Sequence, residues 1–510
     1  MVNSGRLIIL ALLTLAFLIR NFMEGSLHVG YYFISLGGSG AKTMEALTHL
    51  CIAGFMPERG TLNVLAIDPD IGNGNLERSS SALNNYDIFQ KFNVGNDTPL
   101  FKTKVSLIKP FPWNPTDHDK TLDDLMGYQN YRGTPIGSLY EVLYTRTERS
   151  TGLNEGFRGH PSIGAAVLAK KYSLRNADSQ QWTEFIDKVK QDIGGGGDVK
   201  IFLAGSVFGG TGAAGIPTIA RLLRNSLSDY GNRVSIGGVL ILPYFNFTAP
   251  DDESKLFAKA ENFLTNSKAA LKYYSLKDNV FNHMYFTGDS TMTPVKEFSP
   301  GASSQKNDAH IVELYAALAA TDFFRQPADG TRTFKYICHS QENKIAWNDF
   351  PTLWEAENGG REFKFNSRFT QFTRFIFAYI HLIKPVLKDL VAGKRQAYQY
   401  PWFVDFLKGT ELDQTAIKNF EDYTESFITW LRQIETAQGR DISLIKYSMF
   451  EDAPARLTNP DEFQSCDGTN TNLTLHELWY KLTEDIDLDS SVQGFGKFLR
   501  RLYEACEVKA

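Results

Sequence analysis

The sequence predicts an α/β fold with a mostly parallel sheet, followed by a mainly helical C-terminal module. Apolar strand segments alternate with helical segments up to about residue 325, an order typical of parallel sheets covered by helices. Two of these strands lead directly into glycine-rich loops. Beyond about residue 330, apolar and aromatic side chains recur at helical spacing, which indicates packed helices.

The composition is that of a globular protein with a sizeable core. The 510 residues exceed one ordinary domain, and 43% of them are hydrophobic. The formal net charge of −5 is small and basic residues form no long run, so no nucleic-acid surface is predicted. The cysteines and histidines lack metal-ligand spacing, which indicates a reduced compartment and no metal held by protein ligands alone.

Residues 7–19 form an apolar run between Arg6 and Arg20. The run is shorter than the ~17–25 residues of a membrane span and close to a signal-peptide core in length, but no A-x-A cleavage site follows it. Three interpretations stay open: an extension of the reading frame upstream of Met23, a membrane anchor, or a cleaved signal. The predicted location is the cytoplasm, with membrane association through residues 7–19 if the run is an anchor.

The strands and helices are predicted in a regular order. Residues 29–36 form a buried strand that ends in G-G-S-G, and a helix follows. Residues 62–67 form a second strand, closed by Asp68-Pro69-Asp70. Residues 79–150 are less regular and are predicted to be an insertion. The remaining elements predicted before residue 325 are strands at 199–204, 234–242 and 284–286 and helices that end near residue 193 or lie at 219–227, 253–274 and 308–324.

The first glycine-rich loop, GSGAKT at residues 38–43, is ambiguous by itself. It lacks the third glycine of the dinucleotide-binding fingerprint and the glycine that a P-loop requires before its lysine. Consecutive glycines before a helix still allow backbone N–H groups to approach a phosphate closely. A dinucleotide-binding oxidoreductase is therefore one alternative, with Asp68 as its ribose-binding acid, but it leaves the second loop without a role.

The second loop, AGSVFGGTGAAG at residues 204–215, is more specific. It leads from a strand into a helix that is predicted to begin near Pro217. Three glycines around Thr211 give a bare backbone with one hydroxyl donor, which suits phosphate oxygens. A tight strand–helix turn would explain one or two of these glycines, but not G-G-T-G.

The segment FGGTGAAG resembles the G-G-G-T-G-[ST]-G signature of tubulin and its bacterial relative FtsZ. The resemblance continues in the same order along the chain. FISLGGSGAKTMEAL resembles the first phosphate loop of that family, and Asp68-Pro69-Asp70 lies where tubulins have D-x-E. GHPSIG, at residues 159–164, is similar to the γ-phosphate loop of FtsZ, and Asn307-Asp308 is similar to the pair that opens its central helix. The chain thus resembles a divergent prokaryotic tubulin-like protein.

This resemblance implies that the chain binds GTP or GDP together with Mg²⁺. The metal would be held by Asp68 or Asp70, between the protein and the phosphates. The other residues that the resemblance assigns to the nucleotide are Gly37, Gly38, Ser39, Gly40 and Ala41 in the first loop, Gly209, Gly210, Thr211, Gly212 and Ala213 in the second, Gly159, His160 and Gly164 near the γ-phosphate, and Asp289, Asn307 and Asp308 near the ribose and base.

The resemblance is weaker where FtsZ hydrolyses GTP between subunits. The motif N-x-D-F does not follow the central helix directly, and the candidates for its acidic residue are Asp349 and Asp329. Capping of the next turn explains Asp349 equally well. Asp289 also stands where the family has an asparagine, so guanine selectivity would depend on Asn307 and Asp308, with N-capping as the competing role of Asp308.

The sequence therefore predicts a GTP-binding protein that assembles head to tail into filaments, because a heterologous contact need not close into a ring. Whether it hydrolyses GTP is left open. The alternative is a nucleotide-bound scaffold or sensor that does not polymerise and that binds partner proteins through its C-terminal domain. The predicted parts are an extension at 1–22, a nucleotide domain at 23–304, a central helix at 305–325 and a helical domain at 326–510.

Overall fold

The computed structural model describes most of the chain up to residue 326 and shorter stretches beyond it. The described residues are 29–57, 60–116, 121–153, 156–171, 180–248, 260–276, 280–290, 292–295, 305–326, 333–336, 350, 352–355, 361–391, 414–436, 478, 480–482 and 491–507.

Seven described strands form one parallel sheet. They are β1 (Val29–Leu36), β2 (Thr61–Ile67), β3 (Lys104–Leu107), β4 (Asp198–Ser206), β5 (Val234–Ile241), β6 (His283–Thr287) and β7 (Thr333–Tyr336). Their order in the sheet is β3-β2-β1-β4-β5-β6-β7, and every neighbouring pair is parallel. The order reverses direction between β1 and β4, and the carboxyl ends of the strands at such a point are where open α/β sheets bind ligands.

Helices cover both faces of the sheet, which confirms the predicted α/β class. The described α-helices of the chain are α1 (Gly37–Ile52), α2 (Gly74–Phe89), α3 (Leu122–Met126), α4 (Pro135–Leu143), α5 (Arg146–Ser150), α6 (Pro161–Lys171), α7 (Gln180–Gly194), α8 (Thr211–Ser226), α9 (Phe263–Leu276), α10 (Ile311–Arg325), α11 (Phe365–Ala378), α12 (Lys384–Val391), α13 (Gln414–Thr436) and α14 (Gly494–Ala505).

The two faces have separate cores, and β1 contributes to both because its side chains alternate. Tyr31 and Phe33 pack in the core that contains α1, α2 and α10. Tyr32 and Ile34 pack in the other core, with α7 and α8. A strand covered on both faces carries a continuous apolar sequence, which is why VGYYFISL was recognisable as a buried strand.

Residues 79–150, the predicted insertion, are more regular than the sequence indicated. The second half of α2 occupies their start, and β3 extends the sheet beside β2. α3, α4 and α5 follow as short helices. Leu122 and Leu125 of α3 pack with Phe157 in a small apolar cluster of their own.

The described C-terminal helices pack onto the first core, in agreement with the predicted helical module. Phe369 of α11, Phe427 of α13 and Phe498 of α14 are all buried there. The described residues also form two separate two-stranded sheets. One pairs Thr352–Glu355 with Arg361–Lys364, just before α11, and the other pairs Phe245–Asn246 with Thr293–Pro294.

Three helices begin at positions that the sequence did not predict, and one of them is α9, which begins at Phe263 rather than at residue 253. α8 begins at Thr211, so Pro217 lies inside the helix rather than at its start. α10 begins at Ile311, and its N-cap is His310, whose Nδ1 accepts a hydrogen bond from the Val312 N–H. Asp308 is therefore not the N-cap of the central helix.

The predicted membrane association needs correction. No helix among the residues given above is long and apolar enough to cross a bilayer. The apolar run at 7–19, on which the prediction depended, lies outside those residues. The membrane part of the predicted location therefore has no support.

Candidate functional site

A cleft opens at the carboxyl edge of the sheet, above the point where the strand order reverses. It encloses about 1140 Å³ of empty space, part of which is open to solvent. The loops that follow β1, β2, β4 and β5 all reach it. Its lining includes Gly37, Gly38, Ser39, Asp68, Asp70, Gly159, Gly209, Gly210, Thr211, Gly212 and Asn307, all of which the sequence had indicated.

The two glycine-rich loops touch each other in this cleft. Gly37 has a φ of +72°, and a Cβ on it would lie 3.0 Å from the Cβ of Thr211. No residue other than glycine fits this approach without strain. Because α1 and α8 both begin here, the N–H groups of two helix N-termini face the same space, which is a favourable arrangement for an anion.

The acidic pair after β2 also lines the cleft. Asp68 is 4% exposed and Asp70 is 5% exposed, and the Asp70 N–H donates to Asp68 Oδ1 over 3.1 Å. The pKa of Asp68 is raised to about 8, mainly by burial; the hydrogen bond from the Asp70 N–H opposes this rise, and the charge of Asp70 adds to it. Two buried neighbouring carboxylates are unfavourable without a cation.

These carboxylates fit Mg²⁺, whose preferred ligands are carboxylate, phosphate and water oxygens. No group of three or more histidine, cysteine or acidic side chains in the described part of the chain could hold a metal. A cation at Asp68 and Asp70 would therefore need ligands from a bound phosphate or from water.

The loop before α6 closes the cleft between the acidic pair and the second glycine loop. A Cβ on Gly156 would lie 4.0 Å from Asp70 Cβ, and one on Gly210 would lie 2.8 Å from Phe157 Cβ. Arg158 and Gly159 line the cleft at this point, and the sequence had not indicated Arg158.

A cluster of amide side chains, which the sequence had not indicated, forms another wall of the cleft. Asn73 Nδ2 donates to Gln305 Oε1 over 2.6 Å, and Asn75 Oδ1 accepts from the Asn307 N–H over 2.8 Å. Both Asn73 Nδ2 and Asn75 Nδ2 lie within 4 Å of the position that a Cβ on Gly38 would occupy. The cluster thus connects the first glycine loop with the segment before α10.

Aromatic side chains form the remaining wall. The rings of Phe208 and Phe263 are 4.5 Å apart, and Phe245 lies against both Phe208 and Tyr244. These side chains and Phe247 line the cleft. A flat apolar group, such as a heterocyclic base, would find stacking partners there.

Lys42 lines the cleft beneath the first loop and is a further residue that the sequence had not assigned a role. It is 3% exposed and forms an ion pair with Glu313 of α10. Glu313 also accepts a hydrogen bond from the Tyr244 hydroxyl over 2.5 Å and one from the His310 N–H over 2.8 Å. The pair joins the helix that follows the first loop to the central helix.

Several predicted residues do not line the cleft. His160 Nδ1 lies 3.2 Å from Glu148 Oε1, and Gly164 packs against Phe157 and Ala214. Asp289 is buried beyond the end of β6, and Asp308 is exposed. Gly40, Ala41 and Ala213 lie within the first turns of α1 and α8, and Asp329 and Asp349 are outside the described residues.

Comparison with known proteins agrees with this architecture. The model of a family described as tubulin-like matches residues 32–297, just over half of the chain. The match begins within β1 and ends between β6 and α10, so it includes both glycine loops and the acidic pair. No curated protein matches the chain. The chain belongs to the tubulin-like family.

Proposed function

We propose that the cleft binds GTP or GDP with Mg²⁺ and that the chain assembles head to tail with nucleotide at the interface between subunits. The observation that carries this proposal is the convergence of two glycine-rich helix N-termini and a buried acidic pair in one cleft. Each of these features is a common device for binding phosphate or its metal, and together they suit the phosphates of a nucleotide with a bound divalent cation.

The backbone of Gly37 to Ser39 and of Gly209 to Gly212 would hold the phosphates, with the Thr211 hydroxyl as an additional donor. Asp68 and Asp70 would hold Mg²⁺, which neutralises phosphate charge when it is bound. The aromatic wall and the amides of Asn73, Asn75 and Asn307 would receive the base and ribose. Guanine selectivity would then depend on Asn307 and its neighbouring amides, since Asp308 does not line the cleft.

Head-to-tail assembly is proposed because the chain belongs to the tubulin-like family and because such a contact can propagate without closing. Hydrolysis would need an acidic residue from the next subunit, and Asp349 and Asp329 stay the candidates. Light scattering in GTP and Mg²⁺ tests assembly: a threshold in protein concentration supports filaments. Nucleotide binding without scattering at any concentration supports the non-polymerising scaffold instead.

The variant Thr211→Val tests nucleotide binding at the second loop. It removes one hydroxyl donor to a charged phosphate at nearly constant volume, so we expect GTP affinity to fall about tenfold to hundredfold. The matched control is Thr218→Val, since Thr218 lies on the same helix, is also 8% exposed and is outside the cleft lining. Calorimetric titration with GTP and Mg²⁺ measures both. Equal affinities for the two variants would contradict the proposed site.

A further inference from the structure

The helix α4 turns an apolar face to solvent. Four large aliphatic side chains on this helix are mostly exposed: Ile136 at 64%, Leu139 at 60%, Val142 at 83% and Leu143 at 61%. A helix of a globular protein normally packs such a stripe against the core. No other part of the described chain covers this stripe, which we call the α4 face.

The opposite side of α4 is the side that packs against the rest of the chain. Glu141 accepts a hydrogen bond from the Tyr128 hydroxyl, and Gly137 is buried against the Tyr131 carbonyl. Successive residues of an α-helix turn by about 100°, so the four exposed side chains fall within about 120° of its circumference. This arc lies opposite Gly137 and Glu141. The α4 face is therefore a continuous stripe.

Exposed apolar surface is concentrated at this helix. Ten large apolar side chains are exposed in the described part of the chain, and five of them lie within residues 131–143. The four side chains of the α4 face together expose on the order of 450 Å², which is within the range of about 300–600 Å² for the largest apolar patch of a typical monomer. Patches of this size often bind another molecule.

The chemistry of the α4 face suits a second copy of the same face. The stripe contains no charged side chain, and apolar centres of this kind are typical of contacts between identical chains. A two-fold axis through Leu139 would place two α4 helices antiparallel, so that Ile136 of one copy meets Val142 of the other. Each exposed apolar side chain is then covered by an apolar side chain.

The area and the charges indicate that such a contact is weak. Two α4 faces bury about 900 Å² together, and specific interfaces bury at least about 1,200 Å², so the residues around the stripe must add to the contact. Arg132 and Arg146 are both exposed and stand seven residues before and after Leu139. In the antiparallel pair, Arg132 of each copy lies towards Arg146 of the other, and this like charge weakens the contact.

We propose that the α4 face binds the α4 face of a second copy, with the two helices antiparallel, in a weak two-fold dimer. Such a contact closes on itself and is therefore separate from the head-to-tail contact, which does not close. None of the residues of α4 lines the cleft. The proposal thus goes beyond the proposed function and does not rest on it.

Sedimentation velocity of the full chain over a range of concentrations tests this contact, in EDTA and without added nucleotide, so that head-to-tail assembly does not contribute. We expect a reversible dimer with a dissociation constant on the order of 10–100 μM. Leu139→Glu places two carboxylates at the two-fold axis and should raise that constant at least tenfold. The matched control is Leu276→Glu on α9, since Leu276 is 70% exposed and lies outside the α4 face. It should leave the constant unchanged.

The variant Arg132→Glu is a second test, because its expected effect has the opposite sign. It replaces the like-charged pair at each end of the contact with an oppositely charged pair. The dissociation constant should therefore fall by roughly twofold to tenfold. Since all three variants change exposed side chains, their melting temperatures should stay close to that of wild type. A change in dimerisation then reports on the contact rather than on the fold.

Three results would overturn the proposal. The first is a wild type that stays monomeric well above the expected dissociation constant, in which case another molecule covers the α4 face. The second is a dimer that Leu139→Glu does not weaken, and the third is a dimer that Arg132→Glu fails to strengthen. Because no nucleotide takes part in this experiment, its outcome is independent of whether the cleft binds GTP or GDP.

Discussion

At the residue scale, the charge of Asp68 depends on what the cleft holds. Burial beside Asp70 raises the pKa of Asp68 to about 8, so without a cation its carboxyl binds a proton near neutral pH. A divalent cation would displace that proton, which links metal binding to proton release. Asp70 itself lies beside Gly156, so the acidic pair and the loop before α6 border the same part of the cleft.

The residues of the site were predictable to different degrees, for physical reasons. The glycines and Thr211 were recognisable from the sequence because few local structures other than a phosphate-binding loop require glycines spaced as in G-G-T-G. Arg158 and Asn75 were not recognisable as cleft residues, because single residues in loops show no periodic pattern. Their place in the cleft depends on contacts between loops that are distant in the sequence. Asn73 and Asn75 do follow directly on Asp70, in IGNGN, which is the one signal that could have indicated them.

At the scale of elements, the ion pair between Lys42 and Glu313 connects α1 to α10. Both side chains are almost fully buried, so each depends on the other to offset the cost of leaving water. The contact therefore joins the helix that follows the first glycine loop to the central helix by a charged pair. Glu45 of α1 and Arg78 of α2 form a second buried pair nearby, with Nε–Oε distances of 2.9 Å.

The variant Glu313→Gln tests this connection. It leaves Lys42 buried without a countercharge, so we expect the free energy of unfolding to fall by about 3–5 kcal/mol. The exposed pair of Lys384 and Glu425, with N and O atoms 3.0 Å apart, supplies the control: Glu425→Gln should cost about 1 kcal/mol or less. Urea unfolding measures both. Similar losses for the two variants would show that the buried pair has no special role.

The observed strands agree best with the predicted ones where the sequence has long apolar runs. β1, β2, β4 and β5 were predicted because strands buried on both faces are continuously apolar. β3 and β7 were not, since each has only four residues and lies at a sheet edge. The start of α8 was placed too late because Pro217 resembled an N-terminal proline, although the glycine loop enters the helix directly at Thr211.

At the scale of the whole molecule, His49 joins the nucleotide-binding half to the C-terminal helices. Its ring lies on α1, 3.0 Å from the Tyr423 hydroxyl and 4.5 Å from the ring centre of Trp430 on α13. Burial, together with the nearby charge of Arg78, lowers the pKa of His49 to about 3. The ring is therefore neutral in the folded chain throughout the ordinary pH range.

This burial predicts a loss of stability in mild acid. An unfolded histidine binds a proton near pH 6.5 and the folded one only near pH 3, so the unfolded state gains protons as the pH falls below 6.5. Between pH 7.0 and 5.0, wild type should lose about 2 kcal/mol more than His49→Gln, which carries no titrating ring. Urea unfolding at both pH values measures this, and an equal loss in the two proteins would contradict the assignment.

Whether the cleft holds a guanine nucleotide is decided by identifying the small molecule that is bound to the purified chain. The protein is denatured with acid, and the released small molecules are separated by chromatography against GTP, GDP, ATP and ADP standards. The structure predicts GDP or GTP, with less nucleotide retained by Thr211→Val than by Thr218→Val. Release of no guanine nucleotide, together with no binding of added GTP and Mg²⁺, would contradict the account.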